Sequence, residues 1–305
     1  MNGQRLVGLD IGGTSIKGGA IDTGGEVLAR GARDFDPSVP AAEIFARCAS
    51  LARELGFEGR LGVGCAGLFE RETGMTDASA NMPNLVGVSL TAGIAEALGV
   101  PLEQIHLEND ANAAAVGEQW LGGGQGARDV VFVTLGTGIG GGIILDGKLF
   151  IGASGKAGEF GHISVRPEAA KQPDDGELRC KCGAYGCIER LASATAAMTR
   201  ARNRGLGDDL PSISAAAQRG PGPERELMHA IGRDLGQAMA DTVLLLDVPL
   251  FVVGGGFGGA LEALRPGIEE VLRERAYGRP PAQVTGAQLG ADAGWIGAAR
   301  LAPRA

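Results

Sequence analysis

Leu6–Asp22 reads LVGLDIGGTSIKGGAID, and Val130–Leu145 reads VVFVTLGTGIGGGIIL. Each is an apolar run that stops at a glycine turn and resumes as extended chain with no helix between. In the first, Arg5–Leu9 is the run, Asp10-Ile-Gly-Gly-Thr14 the turn and Ser15–Asp22 the return. Gly24-Gly25 then turns the chain again into a third strand, Glu26–Ala29. In the second, Asp129–Leu135 leads into Gly136-Thr-Gly-Ile-Gly-Gly-Gly142, strand Ile143–Leu145, the turn Asp146-Gly147 and strand Lys148–Ile151. One design written twice predicts an α/β architecture in two similar halves.

The residues between and beyond these stretches fit that plan. Ile44, Phe45, Cys48, Leu51, Ala52 and Leu55 have helical spacing and predict a helix over Ala41–Gly56. Leu61–Cys65, Gln104–Leu107 and Leu250–Val253 read as strands. Leu90–Leu98, Ala111–Leu121, Ile188–Asn203 and Glu224–Leu246 read as helices, the first stopping at Gly99 before Pro101. Residues 70–90 and 164–180 read as loop with short extended pieces.

Composition narrows the function. Gly is 53 of 305 residues, about 17% against a usual ~7%, and without a G-X-Y period it is not collagen. The net charge is −8 with a sequence pI near 5.1, and no basic block stands out, so nucleic acid is not an expected partner. The N-terminus enters a strand pattern at once, with no long apolar signal core, and no stretch is long and apolar enough to span a membrane. The expected location is the cytoplasm.

Gly136-Thr-Gly-Ile-Gly-Gly141 matches G-x-G-x-x-G, yet the dinucleotide fingerprint needs a helix after the turn, and here a strand follows. A Walker loop, G-x-x-x-x-G-K-[ST], does not occur. What remains is a pair of glycine turns between strands. Each alone is as well read as a plain hairpin. Together, with Asp10, Thr14 and Lys17 in one and Thr137 in the other, they read as a phosphate cradle of bare N–H groups and hydroxyls. Asp10 beside phosphates calls for a cation, and Mg²⁺ suits it.

Glu108-Asn-Asp-Ala-Asn-Ala113 runs from a strand into a helix of small residues. Asp110 has two readings. It is a favoured N-cap, or, at the C-terminal end of a strand beside a cleft, it is the base that takes a hydroxyl proton during phosphoryl transfer, with Asn109 orienting the same substrate. Further on, Gly158-Glu-Phe-Gly-His162 precedes Cys180-Lys-Cys182-Gly-Ala-Tyr-Gly-Cys187-Ile-Glu189. Three Cys and one His form a closed tetrahedral set for structural zinc; the plainer reading is three reduced thiols in a loop. Cys48 and Cys65 read as core residues.

These motifs in this order give the chain, from Leu6 to about Leu301, a resemblance to the ROK family of sugar kinases, repressors and related open reading frames. Gly254-Gly-Gly256 belongs to the same set. The resemblance implies an actin-like, ribonuclease H-like ATPase fold with a cleft between two domains, ATP and Mg²⁺, and phosphorylation of a hexose at its 6-hydroxyl. It implies Asp110 as base, Asn109, Glu159, His162 and Glu189 as sugar contacts, and His162, Cys180, Cys182 and Cys187 as zinc ligands. Gly67 and Asn81 fall where some members touch the sugar. Nucleotide contacts are expected from Asp10, Gly12, Gly13, Thr14, Lys17, Gly136, Thr137, Gly138, Gly254, Gly255 and Gly256. The expected domains are 1–117, completed by a C-terminal helix at about 291–305, and 118–290 with the zinc loop, in a homodimer or homotetramer. The segment between His162 and Cys180 is long for the family.

Glucose is the expected sugar, with N-acetylglucosamine or N-acetylmannosamine as the alternative. Two rivals differ in class. A sugar-responsive repressor would carry a helix-turn-helix before the first strand, where only four residues precede Arg5, and would not need Asp110. An actin-like filament protein would share the fold alone and have no use for Glu159, His162 and the cysteines.

Overall fold

The computed structural model describes residues 4–79, 82–167 and 177–302. The chain opens with an antiparallel meander, β1 (Arg5–Ile11), β2 (Ser15–Asp22) and β3 (Val27–Asp34), followed by α1 (Ala41–Glu54) and β4 (Leu61–Cys65). A small hairpin, β5 (Leu68–Phe69) and β6 (Thr76–Ala78), precedes α2 (Leu90–Leu98), β7 (Ile105–Asn109) and α3 (Asp110–Leu121). The first sheet has the order β3-β2-β1-β4-β7, with β1, β4 and β7 parallel.

The second half repeats the plan. β8 (Val130–Leu135), β9 (Ile139–Leu145) and β10 (Lys148–Leu149) form the meander. Then come α4 (Glu189–Ala192), α5 (Ala194–Asn203), α6 (Leu210–Arg219), α7 (Pro223–Leu246), β11 (Leu250–Gly254), α8 (Leu261–Glu274), β12 (Gln283–Gly286) and α9 (Ala293–Leu301). Its sheet runs β10-β9-β8-β11-β12, with β8, β11 and β12 parallel. Strand for strand the two sheets have one topology. The strand that follows Gly136–Gly138 is β9, so the turn lacks the helix a dinucleotide site needs.

Burial explains these elements. β4 is buried along its whole length, and β8 at all but Thr134, as strands covered on both faces are. In α1 the buried residues are Ile44, Phe45, Cys48, Ala49, Leu51 and Ala52, one stripe against the first sheet. Cys48 and Cys65 lie in that core, and burial pushes the Cys48 thiol up to about 12, so both are inert there.

Two features depart from the sequence reading. The single helix expected over Ile188–Asn203 is broken at Ser193, whose backbone is extended and whose Oγ caps α5 by accepting from the Ala196 N–H at 3.1 Å. A serine inside a helical pattern offers this alternative hydrogen bond. The helix α6 has no counterpart in the sequence reading, although Asp209 caps it through the Ser212 N–H.

The last helix returns to the first sheet. A Cβ on Gly8 would stand 2.0 Å from the Trp295 carbonyl, and one on Gly62 1.7 Å from that of Ala298. Only glycine lets α9 lie this close to β1 and β4. α3 and α9 meet the same way, Gly297 against the Ala113 carbonyl and Gly117 against that of Ala293. Glu118, buried, accepts from the Gln288 and Leu289 N–H groups at 2.8–3.1 Å and ties α3 to the chain just before α9.

Candidate active site

The parallel strands of both sheets end toward one cleft of about 830 Å³, as ligand sites in open α/β sheets do. From the first half it is lined by Gly67, Arg71, Glu108, Asn109 and Asp110. From the second come Gly136, Thr137, Gly138, Glu159, His162 and Glu189.

At the end of β7 the N-cap of α3 is Asn109, not Asp110. The Asn109 Oδ1 accepts from the Ala111 and Asn112 N–H groups at 2.9 and 3.2 Å, and its Nδ2 donates to the Gly67 carbonyl at 3.2 Å. The capping reading of Asp110 is thereby corrected. Being the first residue within the helix, Asp110 gives its carboxylate to the cleft, where Oδ1 accepts from the Ala111 N–H at 2.9 Å. Burial raises the Asp110 pKa above 3.8, against hydrogen bonds led by that N–H.

Asp10 lies opposite Gly64, and Gly64 opposite Glu108, across three neighbouring strands. A Cβ at 64 would stand 3.3 Å from the Ala113 Cβ and 3.7 Å from Asp10 Oδ1, and one at Gly294 2.5 Å from Asp10 Oδ2, so glycines make the room for Asp10 beside α3 and α9. Burial first, and the nearby Asp110 second, push the Asp10 pKa from 3.8 to about 7, while Lys17, its cross-strand partner, lowers it. Two buried carboxylates this close are held apart from full ionisation unless a cation joins them, and that donor set fits Mg²⁺. Asp10, Gly12, Gly13, Thr14 and Lys17 do not themselves line the cleft. Neither do Gly254, Gly255 and Gly256. Gly255, at φ +83°, stands against the end of β8, where a Cβ would be 2.4 Å from the Leu135 carbonyl.

The second glycine turn is held from below. The Gly136 carbonyl accepts from the Ala194 N–H at 2.8 Å, and the Thr137 carbonyl from the Thr195 hydroxyl at 2.8 Å. The break at Ser193 thus puts the N-terminus of α5, where partial positive charge collects, directly against this turn. Sequence reading missed this because the helical periodicity runs on through Ser193. Gly138 has a second role: a Cβ there would stand 2.5 Å from Glu189 Oε2, which itself accepts from the Ile139 N–H at 3.1 Å.

The His/Cys cluster is assembled. The ligand atoms of His162, Cys180, Cys182 and Cys187 all lie within 4.8 Å of one another. His162 Nδ1 is 3.3 Å from the Cys180 sulfur, and the Cys182 and Cys187 sulfurs are 3.5 Å apart. At Zn–S ≈ 2.3 Å a tetrahedral ion spaces its ligands by roughly 3.3–3.8 Å, so this set fits zinc. His162 presents Nδ1 to the thiols and Nε2 toward Glu159, whose Oε2 is 3.9 Å away. Asn81 and most of the long His162–Cys180 segment lie outside the described residues.

Sequence reading also passed over Arg71 and Lys156, which line the cleft. Arg71 pairs with the buried Glu108, and Glu108 accepts from Asn112 Nδ2 at 2.9 Å. Lys156 pairs with Asp77 at 2.9 Å, so the loop after β10 reaches the β5–β6 hairpin of the other half. Lone basic residues in loops carry no pattern that would single them out.

Two five-stranded sheets of one topology around a shared cleft define the actin-like, ribonuclease H-like ATPase fold. Within it the chain belongs to the ROK family, whose sequence profile it matches over residues 6–305. It is similar to a glucokinase of Streptomyces coelicolor, 35% identical over 97% of this chain and 96% of that protein. It is similar to the bifunctional enzyme NanE/NanK of Brucella suis, 34% identical over 97% of this chain and 53% of that protein. Among solved structures, a ROK family glucokinase of Streptomyces griseus in complex with glucose and AMPPNP superposes with a TM-score of 0.76. That pair is 34% identical, over 98% of this chain and 99% of the other.

Proposed function

We propose that the protein is an ATP-dependent sugar kinase that phosphorylates the 6-hydroxyl of a hexose, with glucose as the substrate. The observation that carries this reading is the meeting, in one cleft, of Asp110 with Asn109, Glu159, His162 and Glu189, facing the bare Gly136–Gly138 turn. Asp110 takes the proton of the sugar hydroxyl as that oxygen bonds to the γ-phosphorus and the bond to the β-phosphate oxygen breaks. A carboxylate whose pKa burial has raised is a better base than one in water. Asn109, Glu159, His162, Glu189 and Gly67 hold the other hydroxyls; Asn81 is given that role on its motif alone. Since Asn109 Oδ1 is spent on capping α3 and one Nδ2–H on the Gly67 carbonyl, the other Nδ2–H is what it offers to sugar.

The phosphates lie between Gly12-Gly13-Thr14 and Gly136-Thr137-Gly138, with Lys17 adding charge and the N-terminus of α5 behind the second turn. Adenosine lies toward Gly254-Gly255-Gly256. Asp10 would hold Mg²⁺, directly or through water, and the ion would neutralise phosphate charge. His162, Cys180, Cys182 and Cys187 would hold zinc. With four protein ligands zinc keeps no open position, so it supplies structure. It fixes the loop that bears Glu159, His162 and Glu189.

The domain division follows the sheets: 1–117 with 291–305, and 118–290, the boundary falling inside α3. The protein works in the cytoplasm as a homodimer or homotetramer, without nucleic acid. Among the described residues no helix is long and apolar enough to cross a membrane. The test is a coupled assay of ATP consumption with glucose, mannose, N-acetylglucosamine and N-acetylmannosamine. Glucose should give the highest kcat/KM and a 6-phosphate product. Faster turnover of an N-acetylated sugar, or ATP consumption indifferent to sugar, overturns it.

A further inference from the structure

Asp234 lies in the middle of α7, outside the cleft, and is buried. Both its oxygens are occupied by arginines. Arg200 Nη1, from α5, donates to Oδ2 at 2.8 Å, and Arg166 Nη2 donates to Oδ1 at 2.6 Å. The Arg200 and Asp234 side chains are 2% and 8% exposed. Arg200 Nη1 also donates to the Leu191 carbonyl at 2.9 Å. Leu191 belongs to α4, whose first residue is Glu189. Arg166 stands four residues beyond His162, on the segment that pairs with the chain around Cys187: the Val165 N–H donates to the Gly186 carbonyl at 3.0 Å, and the Ile188 N–H to the Ile163 carbonyl at 2.9 Å. One carboxylate therefore reaches both pieces of chain that bring His162 and Glu189 to the cleft.

Stability alone does not account for such a group. Taking two guanidinium ions and a carboxylate out of water is costly, and a buried ion triad is often no more stable than apolar side chains of the same volume. What a charge triad does that apolar side chains do not is fix direction, because each N–H must point at its own oxygen. We infer that Asp234 is a positioning residue for sugar binding. It acts through Arg200 on Glu189 and through Arg166 on the His162 segment, in addition to the zinc cluster at the other end of the same loop. This inference rests on the reading of Glu189 and His162 as sugar contacts.

The test uses the full chain with its metal and measures glucose binding by calorimetry without ATP, the KM for ATP, and zinc by elemental analysis. Asp234→Asn keeps the volume and removes the charge that both arginines need. It should weaken glucose binding about tenfold, with the KM for ATP unchanged and zinc still stoichiometric. Combined with Glu189→Gln, it should add less than its own factor, because part of its effect runs through Glu189. Arg166→Met, at the more exposed end, should weaken glucose binding about threefold and carries the test if Asp234→Asn does not fold. Glucose binding unchanged in the folded variants, or effects that multiply in the double variant, overturns the inference. If Glu189→Gln alone leaves glucose binding unchanged, the sugar-site reading itself fails, and the inference falls with it.

Discussion

The two meanders are built alike and equipped differently. Each glycine turn spans three residues, 12–14 and 136–138, and each is closed at its first N–H by a bond of 2.9 Å. Asp10 pairs across its hairpin with Lys17; the matching position in the second meander is Thr134, paired with Gly140. The next outer parallel strand of the first sheet, β7, ends at Asn109 before Asp110, whereas its counterpart β12 ends at Gly286 before Ala287. Asp110 stands on the first half's side of the cleft, and Thr137, bare amides and a helix N-terminus, together with Glu159 and Glu189, on the second. The two halves share one scaffold and differ in the side chains they bring to the cleft. On the proposed mechanism, proton removal and the cation would fall to the first half and the phosphates chiefly to the second.

The largest test of this division is Asp110→Asn, which keeps the shape and removes the base. Turnover should fall by about 10²–10⁴-fold, with glucose binding and thermal stability retained. A change of only a few-fold would reduce Asp110 to a structural residue. Next is Cys182→Ala, or exhaustive chelation. Zinc content should vanish and sugar phosphorylation fall by about 10²-fold through misplacement of Glu159, His162 and Glu189, with ATP binding spared. A fully active protein without stoichiometric zinc would end the metal reading.

A smaller effect should mark the nucleotide side. Gly256 is exposed, and a Cβ there meets nothing within 4 Å. Gly256→Val should therefore fold normally and raise the KM for ATP by about tenfold, or 1.4 kcal/mol, leaving the KM for glucose alone. Gly138 cannot serve for this purpose, because a side chain at 138 strikes Glu189 and would injure both substrates.

The smallest effect is on stability. The Asp10 pKa is raised from 3.8 to about 7 on folding. Asp10 therefore binds its proton more tightly when folded, and its contribution to stability is complete below about pH 4 and lost as pH rises to about 7. Without nucleotide or Mg²⁺, Asp10→Asn should remove that loss. Relative to wild type it should gain at least about 1 kcal/mol between pH 5 and pH 8, a few degrees in Tm. Parallel melting curves for the two proteins would place Asp10 in solvent.

Much of this was legible in residue order. The two glycine turns, the Glu108–Ala113 stretch and the Cys180–Cys187 cluster are local, and local patterns survive in sequence. The Leu90–Leu98 helix is matched end for end, because Ser89 caps its start and Gly99, at φ +71°, its end. What escaped depends on three-dimensional neighbours. The break at Ser193 is set by Gly136 and Thr137, whose partners Ala194 and Thr195 lie 58 residues on. The cap on α3 belongs to Asn109 because Gly67 receives its amide. Arg71, Lys156 and Asp234 matter only through partners on other elements.

The seam between α9 and the first sheet bears on the order in which the molecule is made. β1 and β4 lose their contact with water on one face only when Trp295, Ala298 and Ala299 arrive. On a ribosome that happens only after all the strands of the second sheet, β8 to β12, have emerged. Until then the sheet made first has an uncovered face, and closing it requires a contact of very long sequence separation, the slow kind in folding. The second sheet waits for its own last strand, β12, but its covering helices α7 and α8 lie close by in the chain. During synthesis the sheet made first is covered last, and a nascent chain stalled before α9 holds both glycine turns while the first sheet still lacks its cover.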